Sequence, residues 1–287
     1  MATKKQDDDI HESQAPPKQG GWITFPFIIG NVFGMSLVLS GSIGNFIVYL
    51  IKYFNFKSID AAQLGNIING CSSLTPLLGA IFSDSFFGCF PVVTFSSVAT
   101  LLSMAMLTLT ASIKALRPSN SETPASGGQL ALLYTAMAFY AVGTGGTRFI
   151  TMTMGADQFT KVEDQDVFFN WYFIVLYSAA AIGSTVVVYV EDNVSWELGF
   201  GICLAVNALA VLSLLLGVKY YRRPVPEGSP FTALARVTVA SFRKRKLALP
   251  PPMAAATAAA YYHGPSERAD QPPSSSFWYV FGHQNEL

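Results

Sequence analysis

Apolar residues run in six long stretches, at 22–51, 61–83, 90–113, 129–152, 167–190 and 198–218, and polar residues collect between them and at both ends. Within the stretches there is no helical stripe opposed by a charged face, so each segment is apolar on all sides. A helix of that kind is surrounded by hydrocarbon or by other helices. About 20 apolar residues suffice to cross a bilayer core, and every stretch reaches that length. The pattern predicts an all-α membrane protein with six transmembrane helices over residues 20–218. Residues 1–19 are polar and predict a disordered tail, 219–246 form a basic segment, and 247–287, with PPP, AAATAAA and SSS, are low-complexity.

Composition agrees with the pattern. Of 287 residues, 51% are hydrophobic and 13% charged, against about 25% charged in soluble domains; mean hydropathy is +0.37. Formal net charge is zero, which gives no case for a nucleic-acid partner. Cys71, Cys89 and Cys203 form no CxxC pair and read as small packing residues. His11, His263 and His283 lie outside the apolar stretches, so neither a metal nor a cofactor is expected. The polar N-terminus contains no cleavable leader pattern. Lys4, Lys5, Lys18, Lys161 and the basic run Lys219–Lys246 fall on one side of a six-span arrangement. Lys52, Lys57, Lys114 and Arg117 fall on the other, which orients both termini toward the cytoplasm.

One charge interrupts the fourth stretch. Arg148 ends an otherwise apolar helix, ahead of a polar loop with Asp157, Lys161, Glu163, Asp164 and Asp166. An ionisable group in a membrane segment marks a functional site by default. A long side chain near a helix end can also simply reach the surface. The residues leave both readings open. Gly143, Gly145 and Gly146 lack the strand and the Gly-Lys-Ser/Thr end of a phosphate loop, and read as thinning the helix for close packing. The third stretch reads as plain packing. Asn193-Val194-Ser195 is a glycosylation sequon in a turn too short to carry a sugar.

GTGGTRF at 143–149, GADQF at 155–159 and FFNWYF at 168–173 fall in order and at family-like spacing. With them the chain resembles the plant nitrate and peptide transporters, proton-coupled oligopeptide-type members of the major facilitator superfamily. FNFKSIDAAQ at 54–63 and SDSFFG at 83–88 are similar to the nitrate-excretion subgroup. The resemblance covers residues 19–246 and implies one six-helix half of a major facilitator fold. It implies substrate contact at Arg148, and structural or gating roles for Gly79, Asp84, Gly88, Gly145, Gly146, Asp157 and Asn170. Asp84 is expected to cap a helix or pair with a charge in its loop. Where family members carry Glu-x-x-Glu-Arg on the first helix, this sequence has Val32, Met35 and Ser36, and the family's basic residue after Gly88 is Cys89. Carboxylates take up and release protons, so loss of the motif removes the family's coupling device. Family members carry lysine where Arg148 stands; arginine keeps the charge but cannot act as a proton relay.

The expected function is a multi-pass transporter half for a small anion such as nitrate, in the plasma membrane, with the lipid bilayer and a second copy or a full-length relative as partners. The alternative is a truncated, non-transporting membrane protein that associates with such a relative. The helices offer no nucleophile, carboxylate pair or metal cluster, which argues against an enzyme.

Overall fold

The computed structural model describes residues 19–118, 125–224 and 238–239. The described residues up to Pro224 belong to one compact unit; of the second, Ser229–Leu287, only the helical pair 238–239 is described. The expectations for residues 1–18, 225–237 and 240–287 lie outside the described residues.

The described part of the first unit is helical. Its α-helices are α1 (Phe25–Gly44), α2 (Phe46–Phe54), α3 (Ser58–Phe82), α4 (Cys89–Ser112), α5 (Gly127–Arg148), α6 (Ile150–Ala156), α7 (Val162–Ile182), α8 (Val188–Asn193) and α9 (Trp196–Leu216). They form six rods. The first bends at Asn45 between α1 and α2, and the fourth at Phe149 between α5 and α6. The second ends in a π-helical turn, Ser83–Phe87, and another, Gly183–Val187, joins α7 to α8 in the fifth. Five rods are long and apolar enough to cross a membrane. The remaining one, α3, has 25 residues but carries Asp60, Gln63, Asn66 and Asn69, which lower its hydropathy.

Local chemistry sets the ends. Pro26 opens α1, where its missing N–H costs nothing. Ser126 and Gln129 form a reciprocal capping box on α5. Ser195 Oγ accepts from the Leu198 amide and caps α9. Gly88, at φ +76°, turns the chain between the π-turn and α4 in a region side chains avoid.

Neighbouring rods touch in the order α7, α1, α9, α4, α5, α3. Tyr49, Trp196 and Phe200 stack in one cluster, with ring centroids 5.0–5.6 Å apart. At the other end of the bundle, called here the Arg148 end, Phe159, Phe168 and Tyr172 pack with Ile28 and Leu214. The third rod departs from the plain packing its sequence predicts. Ser96, Ser97, Thr100, Ser103 and Thr110 of α4 are all buried. Ser103 donates to the Ala136 carbonyl of α5 at 2.7 Å, and Asn31 of α1 donates to Ser97 at 3.3 Å. Such bonds hold helices together where hydrocarbon offers no hydrophobic drive.

Candidate functional site

Arg148 lies at the C-terminal end of α5, where the first break in that rod begins. A cation in the last turn is favoured by the helix dipole. Its backbone carbonyl accepts from the Tyr172 hydroxyl of α7 at 3.4 Å, so α7 braces the break. The guanidinium stands 5.8 Å from the centre of the Phe149 ring.

The Arg148 side chain borders a cleft of about 220 Å³ between α1, α5 and α7. Val32, Met35 and Ser36 of α1 line the same cleft, as do Thr144, Thr147 and Thr151 of the fourth rod. The three α1 positions that the resemblance aligns with Glu-x-x-Glu-Arg thus stand around one space with Arg148. No Asp or Glu borders it among the described residues. Thr144 and Thr147 satisfy themselves on carbonyls of their own helix. Thr151 Oγ1 is buried and makes no hydrogen bond among the described residues. Among the described residues the cleft therefore offers a fixed cation and uncommitted hydroxyls, the buried one of Thr151 among them, and no carboxylate to repel an anion or to carry a proton.

The other expected site residues separate into groups. Gly79, Gly145 and Gly146 come together where α3, α4 and α5 cross. Gly79 faces Ile150 and Gly146, Gly145 faces Thr75, and Gly146 faces Ser96. Asp84 is exposed in the π-turn after α3, and the N-cap of α4 is Gly88 with no side-chain cap bond. Asp84 therefore does not cap α4. The turn places it one full turn ahead of the helix start. Asp157 is half-buried nearby, with the Cys89 thiol 4.0 Å from its Oδ2. Burial raises the Asp157 carboxyl above its ordinary range; the Arg222 guanidinium pulls it back and the Asp84 carboxylate adds to the rise. Cys89 takes a hydrogen bond from Ser83 at 3.3 Å. Asn170 is exposed on α7 and joins neither group.

Two residues that sequence reasoning passed over are buried. Gln158, in the same GADQF stretch as Asp157, is 3% exposed and bonds to three separate chain segments. Its signal was a lone amide inside a turn. Glu191, just ahead of the Asn193-Val194-Ser195 turn, is 2% exposed. It is folded under Gly199 of α9 with both carboxylate oxygens unpartnered among the described residues. The π-turn Gly183–Val187 precedes it and shifts the register of the last turns, which hydropathy does not show.

Comparison with known proteins agrees with this architecture. The sequence model of PTR2, the POT family, matches residues 90–271, a range running past Lys246 into the low-complexity stretch. Protein NRT1/PTR FAMILY 2.3 of Arabidopsis thaliana is 48% identical over 238 residues, covering 81% of this chain and 43% of the relative. Protein NRT1/PTR FAMILY 2.7 of the same plant is 48% identical over 241 residues, covering 82% and 43%. The chain spans less than half the length of these curated relatives. Among solved structures, the POT family transporter PepTSo superposes with a TM-score of 0.64 at 18% identity, over 77% of this chain and 42% of that one. An auto-inhibited POT family peptide transporter gives 0.65 at 19% identity, over 83% and 45%.

Proposed function

The chain belongs to the POT family, and from that premise we propose that it supplies one half of a membrane carrier for a small anion such as nitrate. The observation that carries this reading is the cleft between α1, α5 and α7, which holds Arg148 and, among the described residues, no carboxylate. A fixed guanidinium facing the cleft attracts an anion through charge and paired N–H donors. Val32, Met35 and Ser36 carry no titratable group at the positions around it. Anion movement through this site is accordingly independent of a proton gradient. Carriers of this architecture bind their solute between two halves, so the second wall comes from a second copy or a full-length relative. The plasma membrane is the proposed location.

The test is nitrate flux into liposomes holding this chain at verified insertion, with and without an imposed pH gradient. Flux above empty vesicles, insensitive to the gradient and abolished by Arg148→Gln, is expected. Flux equal to that of empty vesicles, both with this chain alone and after co-reconstitution with a transport-dead full-length relative, overturns the reading. The exposed amides of α3 favour a second reading, a membrane protein that docks on a full-length relative without transporting. Restored flux on co-reconstitution with a transport-dead relative would exclude it.

A further inference from the structure

Three chain segments meet at the Arg148 end, and one side chain joins them. Gln158 follows α6, the short helix that continues from Arg148 across the break at Phe149. Its Oε1 accepts from the Arg222 amide at 2.8 Å, and its Nε2 donates to the Arg222 carbonyl at 3.1 Å and to the Met154 carbonyl at 2.9 Å. Both edges of Arg222 are thus matched by both ends of one amide, which fixes the orientation of that amide. The Gln158 backbone carbonyl accepts from the Gly21 amide at 2.7 Å, and the Gly20 amide donates to the Tyr220 carbonyl at 2.8 Å. A Cβ at Gly20 would stand 2.8 Å from the Gln158 oxygen, so glycine is needed for the approach. Trp22 adds a side-chain bond, donating to Asp164 at 3.1 Å, and packs edge-on against Phe159 at 5.0 Å.

We propose that Gln158 is a positioning residue, a latch that ties the segment arriving at α1 and the segment leaving α9 to the helix that extends from Arg148. The three segments then move as one body at this end of the bundle. The bonds form a closed circuit: Gly20 to Tyr220, Arg222 to Gln158, Gln158 to Gly21. Opening one member frees the others, because each bond holds the ends that the next requires. A half that rocks against a partner must hold its shape at the point where its chain leaves, and the latch meets that need. This use rests on the carrier reading above; the latch itself does not.

Backbone hydrogen exchange of the full chain in lipid nanodiscs tests it. Gln158→Leu deletes only the side-chain bonds to Arg222 and Met154, yet exchange at the Gly20 and Gly21 amides is expected to rise roughly tenfold, the scale of one or two lost bonds. Gln158→Glu keeps the acceptor for the Arg222 amide and should restore about half of the lost protection on a logarithmic scale. Tryptic cleavage after Arg222 should follow the same order. A rise confined to Arg222, with Gly20 and Gly21 unchanged, overturns the latch. Should Gln158→Leu fail to insert, Gln158→Glu, which keeps the shape, decides by the same comparison. Arg148→Gln should leave all these amides protected, so loss of flux and loss of the latch are separate results.

Discussion

Asp157 shows how one half-buried group writes itself into the stability of the fold. Its carboxyl is raised mainly by burial, so the folded chain holds that proton more tightly than the unfolded chain does. The stabilisation is fully present below about pH 4, the ordinary aspartate value, and is lost as pH rises through the raised one. Asp157→Asn removes this loss. Its melting temperature relative to the native chain should therefore climb between pH 4 and pH 7, measured by thiol-independent fluorescence melting in detergent. A difference that stays constant across that interval defeats the assignment. Glu191 is a second buried group, with both oxygens unpartnered among the described residues and Gly199 pressed against its stem. Arg148 was legible in the sequence because a charge stands out against apolar neighbours. Gln158 and Glu191 were not, since their burial depends on where a turn and a π-bulge aim them, and a hydropathy pattern carries no such direction.

At the scale of elements, the rods were legible and their joints were not. Length and apolarity locate each rod to within a few residues, because the bilayer sets both. The bends at Asn45 and Phe149 and the two π-turns follow from packing between rods, which no single segment records. The α4–α5 contact is the clearest instance. Gly143 lets α5 approach so closely that a Cβ would stand 2.6 Å from the Thr100 amide nitrogen and 2.7 Å from the Ser96 carbonyl oxygen. Backbone cannot yield as a side-chain tip can. Gly143→Ala is expected to cost about 2 kcal/mol, within the usual range for overpacking. Gly65→Ala, whose Cβ would meet Ile47 at 3.4 Å, should be near neutral. Equal losses at the two sites, in reversible unfolding in mixed micelles, would remove the argument. The α8–α9 turn makes a second prediction. Asn193 Nδ2 already donates to the Tyr189 carbonyl, and Ser195 Oγ already caps α9. Both sequon side chains are engaged, so the purified protein should show no mass change with a glycosidase. Ser195→Ala should destabilise by about 1 kcal/mol through loss of the cap.

For the whole molecule, the question is what each exposed face meets. The α7–α8 rod is apolar, and only 17% of its most apolar window is buried, so most of its surface faces lipid or a partner. The α3 rod differs. Asn66, Asn69 and Ser73 recur at helical spacing and are exposed, while Ile67, Leu74 and Leu78 form an adjoining exposed apolar face. Amides left against hydrocarbon are costly, and Asn69 borders a cavity of about 100 Å³ with Ser42 and Tyr140. The polar face of α3 should therefore border water between two bodies, and the apolar face should meet acyl chains. With Cys71 replaced by serine, Asn69→Cys in liposomes should react rapidly with a charged, water-soluble methanethiosulfonate, and Leu74→Cys should react slowly. A partner seated against α3 would narrow that path, so co-reconstitution with a full-length relative should slow modification of Asn69→Cys without affecting Leu74→Cys. Faster labelling at position 74 than at 69 would mean that α3 presents its amides to lipid, and no second half could then complete the site from that side.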